Sequence, residues 1–177
     1  SEVVHAERLR EVRALTGFTR LDAPDPDDPD LVVRVSLSRD AVPSWVPASE
    51  VRGEGLFLRV RPDLVDAWTA RQRGTPEEEA HAAAYREFRK NRYSDRITAT
   101  FDPMRGWPGV RYYLLHTLSH MMIRAIALEC GYSAASLTER IYAGDADQAR
   151  QGILIYTAVP DAEGTLGGLV ALGEPDA

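Results

Sequence analysis

Residues 109–131 read GVRYYLLHTLSHMMIRAIALECG, and this stretch decides the fold. The spacing predicts a helix that begins near Gly109 and stops at Gly131, where a left-handed residue closing a helix is expected. Leu114, Leu115, Leu118, Met121, Met122, Ile123, Ile126 and Leu128 cover most of its circumference. A helix apolar nearly all round is a buried one, so this element is expected to be the centre of the fold.

Working outward, residues 152–157 (GILIYT) form a short apolar run suited to a buried strand. Residues 133–142 predict a second, shorter helix, and residues 169–172 look like the first turn of another. Upstream, residues 31–38 alternate apolar and polar positions, the pattern of a half-buried strand, and residues 55–60 predict a second strand. A short helix is expected between Pro62 and Arg73. Another starts at Thr75-Pro76-Glu77-Glu78, which supplies a cap, a proline at the first helical position and early acids, and runs to about Tyr93. Val4, Leu9, Val12 and Leu15 lie near one face of a helix over 3–16. The expected organisation is a helical segment over 1–20, an acidic flexible linker over 21–30 and an α/β domain over 31–177, cut short at its C-terminus. The fold class is mixed α/β, α+β in character: a buried central helix packed on a small sheet that includes 31–38, 55–60 and 152–158.

The composition is that of a globular protein, 44% hydrophobic and 27% charged, and no apolar run reaches the roughly 18 residues of a membrane span. Ser1 is followed by charged residues, which predicts no export signal and a cytoplasmic location. A net charge of -6 argues against a protein that coats nucleic acid with its whole surface. Cys130 is the only cysteine, so this sequence completes neither a disulfide nor a cysteine-based zinc site.

His116 and His120 stand four apart, on one side of the central helix with Ser119 and Arg124. That is the spacing of two zinc ligands, but Thr117 occupies the position where a metalloprotease carries its general base. The favoured expectation is a structural polar network in which Asp161 and Glu163 neutralise this stripe, with no metal, because buried polar groups are usually satisfied rather than reactive. A metal-dependent hydrolase or nuclease built on His116 and His120 is the alternative.

Gly164, Gly167 and Gly168 follow a strand, the setting of a phosphate cradle, but their spacing matches no phosphate-binding motif, and a tight turn is preferred. Arg86, Arg89, Lys90, Arg92 and Arg96, interleaved with Tyr85, Phe88 and Tyr93, form the one dense basic stretch. Cations with aromatics suit a single-stranded nucleic-acid groove, whereas a charge run at a helix end is commonly a solvated face; both readings stand. Trp45, Trp68 and Trp107 are expected to be core or interface anchors. Gly53-Glu54-Gly55 predicts a close backbone approach or a bulge.

The run Leu115-His116-Thr117-Leu118-Ser119-His120, with Glu129-Cys130-Gly131-Tyr132, Ser136-Leu137-Thr138-Glu139-Arg140-Ile141-Tyr142, 152–157 and 161–169, resembles a helicase-associated domain whose relatives in MrfA-type repair helicases bind zinc. Residues 8–13, 17–20, 45–48 and 53–58 resemble the DrmB-type subunits of DISARM anti-phage systems. The resemblance implies a non-catalytic accessory or scaffold subunit that associates with a DrmA-type helicase and helps engage foreign DNA, with ATP hydrolysis left to that partner. Zinc-binding relatives carry their cysteine ligands mainly beyond the glycine-rich turn. The resemblance therefore implies zinc in a longer parent protein, no cofactor held by this chain, and no membrane partner.

Overall fold

The computed structural model describes residues 2–19, 35–39, 44–93, 100–131, 133–144, 151–157 and 168–173. The acidic linker over 21–30, Arg96, Asp161, Glu163, Gly164 and Gly167 lie outside the described residues. Along the chain come β1 (Glu2–Ala14), β2 (Gly17–Phe18), β3 (Val35–Ser36), β4 (Ala48–Arg59), α1 (Pro62–Gln72), α2 (Pro76–Arg92) and α3 (Gly109–Cys130). A single 3-10 turn (Ala134–Ser136) then precedes β5 (Leu137–Ala143), β6 (Gln151–Thr157) and α4 (Gly168–Ala171). The chain divides into two units: 1–12 with 50–73 and 108–177, and 13–49 with 74–107.

The first unit is a mixed α/β fold, a four-stranded sheet in the order β1-β4-β6-β5 with α3 packed on β5 and β6. β6 is antiparallel to both neighbours, with Leu56 and Glu139 opposite Ile155, and Leu58 and Ile141 opposite Ile153. Residues directly opposite one another share a face. Leu56, Leu137, Ile153 and Ile155 thus join Leu115, Ile123 and Ile126 of α3, Val65 of α1 and Leu169 of α4 in one buried cluster. Burial of each such side chain contributes about 1.5–3 kcal/mol. Arg111 of α3 ties two further elements to the helix, pairing with Asp66 of α1 and donating to the Gly144 carbonyl after β5.

Gly131 ends α3 at φ +67°, as its position at the close of the apolar run predicts. Only one stripe of the helix is buried, however: Val110, Leu115, Ser119, Ile123 and Ile126, while Met121 is 64% and Leu128 86% exposed. The expectation of burial around most of the helix is corrected in part: α3 packs on the sheet as expected, but through that one stripe, which also meets α1 and α4.

Three further expectations are corrected. Residues 2–14 form β1 at the sheet edge rather than a helix; pairing beside β4 overrides the helix-compatible spacing. Residues 137–143 form β5 rather than a helix; Thr138, Ile141 and Tyr142 suit a pleated surface. Of the 31–38 segment, residues 31–34 lie outside the described residues, and Val35–Ser36 pair with β2 in a two-stranded sheet rather than joining the main sheet. The strands at 55–60 and 152–157, the helices at 62–73 and 75–93, and the helical turn at 169–172 stand where the sequence predicts them.

The second unit holds the β2–β3 pair and α2. Thr75 caps α2 by accepting from the Glu78 backbone N–H. Acids fill the helix's first turn and cations its last, which complements the backbone dipole.

Glycines let the sheet close. On β6, Gly152 leaves the room that Phe57 of β4 and Tyr142 of β5 fill in edge-to-face contact, centroids 5.6 Å apart. At Gly53 an added Cβ would lie 1.7 Å from the Thr157 carbonyl oxygen, the close approach expected of the Gly53-Glu54-Gly55 run. Gly53→Ala is therefore expected to cost about 3 kcal/mol, the upper end for overpacking, read as a lower urea midpoint at unchanged slope. An unchanged midpoint would contradict so close an approach.

Candidate functional site

The packing of α3 on β5 determines what stands opposite the histidine pair. Along β5 the period of two puts Leu137, Glu139 and Ile141 on the face that meets α3, with Glu139 the lone carboxylate among them. On α3 the i, i+4 spacing stacks His116 and His120, ring centroids 4.6 Å apart. The Nε2 atoms of the two rings are 2.9 Å apart, and Glu139 Oε1 lies 2.8 Å from His116 Nε2 and 3.5 Å from His120 Nε2. Tyr112, one turn earlier, rests its ring 5.4 Å from that of His116.

Exposure grades across the trio. The His120 side chain is 62% exposed, His116 36% and Glu139 21%. Glu139 Oε2 is buried and has no hydrogen-bond partner. Two imidazole nitrogens and a carboxylate oxygen within 4.8 Å of one another form a donor set that suits zinc and related divalent ions.

Glu139 is not among the residues that the sequence singles out. Its signal is the alternation Leu137, Glu139, Ile141, legible only once 137–143 is a strand. Of the other members of the expected network, Ser119 is fully buried and its hydroxyl has no hydrogen-bond partner, while Arg124 is exposed. Gly168 opens α4, and the Leu169 N–H donates at 2.9 Å to Oε1 of Glu54, a carboxylate 2% exposed. The start of this short helix is thus capped by a carboxylate of the same chain.

Cys130, the last residue of α3, donates its thiol to the Gly168 carbonyl at 3.5 Å. Burial, with smaller contributions from the charges of Glu129 and Glu54, pushes its pKa up. A thiol so held is a poor metal ligand, since coordination requires the thiolate.

In the second unit, the basic stretch divides. Arg89 is buried, 2% exposed, and so does not share the solvent-facing surface on which the sequence groups it with its neighbours. Arg86 and Lys90 are exposed, Lys90 lying 3.7 Å from Glu87. Arg92 sits over the Phe88 ring at 5.3 Å, and Tyr93 stacks on Phe101 with centroids 4.6 Å apart. Trp45 is 76% exposed and so is no core anchor; with Leu15, Leu37 and Pro47 it lines a cleft of about 490 Å³. Trp107 is half-buried against Tyr85, centroids 5.1 Å apart.

The family model of the MrfA Zn-binding domain matches residues 118–172, a span that contains His120 and Glu139 and leaves out His116. The DISARM protein DrmB of Bacillus paralicheniformis is 34% identical over 181 residues, covering 99% of this chain and 30% of that protein. The chain thus spans about 30% of the length of the curated relative it matches.

Two outcomes are expected here. Ser119→Ala should leave stability unchanged or raise it by up to about 1 kcal/mol, because it removes a buried hydroxyl with no partner; a decrease measured by urea denaturation would show that the hydroxyl is bonded. Cys130 should react with iodoacetamide more slowly than free cysteine at pH 8 and accelerate at higher pH, as its raised pKa requires. Equal rates at pH 8 would refute that.

Proposed function

The chain is of DrmB type, and from that premise we infer that it is an accessory module of an anti-phage defence assembly. It works beside a DNA helicase, helps hold foreign DNA, and leaves ATP hydrolysis to the helicase. The observation that carries this reading is the similarity along 99% of the chain to the DISARM protein DrmB. The setting is cytoplasmic. Among the described residues no helix is long and apolar enough to cross a membrane.

Two surfaces of the second unit support the division of labour. Arg86 and Lys90 are exposed on α2, and Arg92 sits over the exposed Phe88 ring, the kind of mixture of cation and ring that single-stranded nucleic acid engages. The cleft beside Trp45 offers apolar area to a protein partner, and exposed aromatics are frequent anchors of such interfaces.

A metal-dependent hydrolase is the second reading, favoured by the convergence of His116, His120 and Glu139. It requires the chain to cleave nucleic acid in the presence of a divalent metal; an accessory module does not.

The test uses the full chain, produced with its neighbouring helicase. Co-purification of the two is expected, as is binding of single-stranded DNA that Arg86→Glu with Lys90→Glu weakens. For every phosphate that is no longer neutralised, the slope of log affinity against log salt should become shallower by about 0.7. Unchanged affinity and slope would rule out DNA binding by α2, and failure to co-purify would rule out the helicase as partner.

A further inference from the structure

We propose that His116, His120 and Glu139 together hold one divalent transition-metal ion of the zinc class, bridging α3 to β5 and keeping a coordination position open to solvent. Matching the zinc-binding family model does not assign this site, since the matched span omits His116.

His116 Nε2 makes two short contacts, 2.9 Å to His120 Nε2 and 2.8 Å to Glu139 Oε1. An imidazole nitrogen carries either a proton or a lone pair. If His116 Nε2 carries the proton, that one hydrogen is split between two acceptors. If His120 Nε2 carries it instead, the His116 lone pair faces the carboxylate. If both carry protons, two N–H groups face each other at 2.9 Å. With the carboxylate ionised, at most one of the two short contacts is a straight hydrogen bond, whereas a single cation among the three donor atoms meets all of them.

Zinc binds nitrogen and carboxylate oxygen at about 2.0–2.2 Å, which places tetrahedral ligand atoms about 3.3–3.6 Å apart. The His120–Glu139 separation of 3.5 Å lies on that edge, and the separations of 2.8 and 2.9 Å lie about half an ångström inside it, a gap that side-chain rotation of the exposed histidines closes. A buried Glu139 Oε2 with no hydrogen bond is a costly place for negative charge, and a cation on Oε1 offsets that cost.

The donor set and the exposure define the class of ion. Two imidazoles and one carboxylate favour zinc and its first-row neighbours over magnesium or calcium, which prefer oxygen throughout. Three protein ligands with the outermost one 62% exposed make an open site, unlike the four-ligand closed sites of purely structural zinc. Tyr112 against His116 holds one ring in place before any ion arrives.

The experiment takes the full chain without an affinity tag, strips it with EDTA and titrates it separately with Zn²⁺, Co²⁺ and Mg²⁺. Metal content, the melting temperature and the visible spectrum of the Co²⁺ form are read. One equivalent of Zn²⁺ or Co²⁺ is expected, with a higher melting temperature, while Mg²⁺ at the same concentration gives neither. His120→Ala, at the exposed position, should weaken Zn²⁺ binding by more than about 100-fold, above the roughly 10–100-fold effect of removing an outer-shell partner. Glu139→Gln should weaken it as well, and His81→Ala on α2 should bind like the parent protein. The proposal is overturned if the parent chain takes up no Zn²⁺, if Mg²⁺ competes equally, or if His120→Ala binds Zn²⁺ as tightly as the parent.

Discussion

Everything in the first unit depends on one apolar seam: the stripe of Leu115, Ile123 and Ile126 on α3 laid against Leu137, Ile153 and Ile155 of β5 and β6. That seam sets the rotation of the helix about its axis. Once Leu115 points into the sheet, the residue after it stands at the margin, about 100° around, and the one four further on stands above that. The histidines therefore reach over the edge of β5 rather than into the core. The same seam sets β5, because Leu137 and Ile141 must face the helix and Glu139, midway between them, has no other side to occupy. Meeting of imidazole and carboxylate is thus a consequence of packing apolar residues around them.

This explains which parts of the fold were legible. The helix over 109–131, the strand over 152–157 and the close approach at Gly53 carry their causes locally, in an apolar run, a terminal glycine and a glycine pair in a strand. β1 and β5 do not. Residues 2–14, EVVHAERLREVRA, mix good helix formers with apolar residues at helix-compatible intervals, and only an available edge beside β4 selects the extended form. Residues 137–143 are too few to declare a period, and their assignment to a helix concealed the face on which Glu139 lies. The cluster was half visible for that reason: two imidazoles on the helix by their spacing, and the carboxylate hidden behind a strand read in the wrong period.

Burial of charge was the other thing the sequence did not disclose. Glu54 lies between two glycines in a strand, a placement that suggested backbone geometry, and it proves to be a buried carboxylate that accepts the N–H of Leu169 at the start of α4. Arg89 belongs by composition with its neighbours Arg86, Lys90 and Arg92, yet it is the one turned inward. Long side chains with charged ends are counted alike in a sequence, whereas which of them is solvated depends on helix rotation, and α2 has too few apolar residues to reveal its own.

The two candidate functions consequently rest on different physical grounds and on different parts of the chain. The proposed nucleic-acid binding falls to α2 in the second unit and needs only solvated cations beside rings, an arrangement that tolerates small movements because phosphate attraction is long-ranged and weakly directional. The proposed metal coordination falls to α3 and β5 in the first unit and demands closer placement, which rigid elements over a packed core supply. The chain supplies each with the support it requires: a polar, solvent-facing helix for the first, and for the second a seam of buried aliphatic residues directly beneath the ligands. A site placed on that seam inherits its stiffness without adding any residue for the purpose.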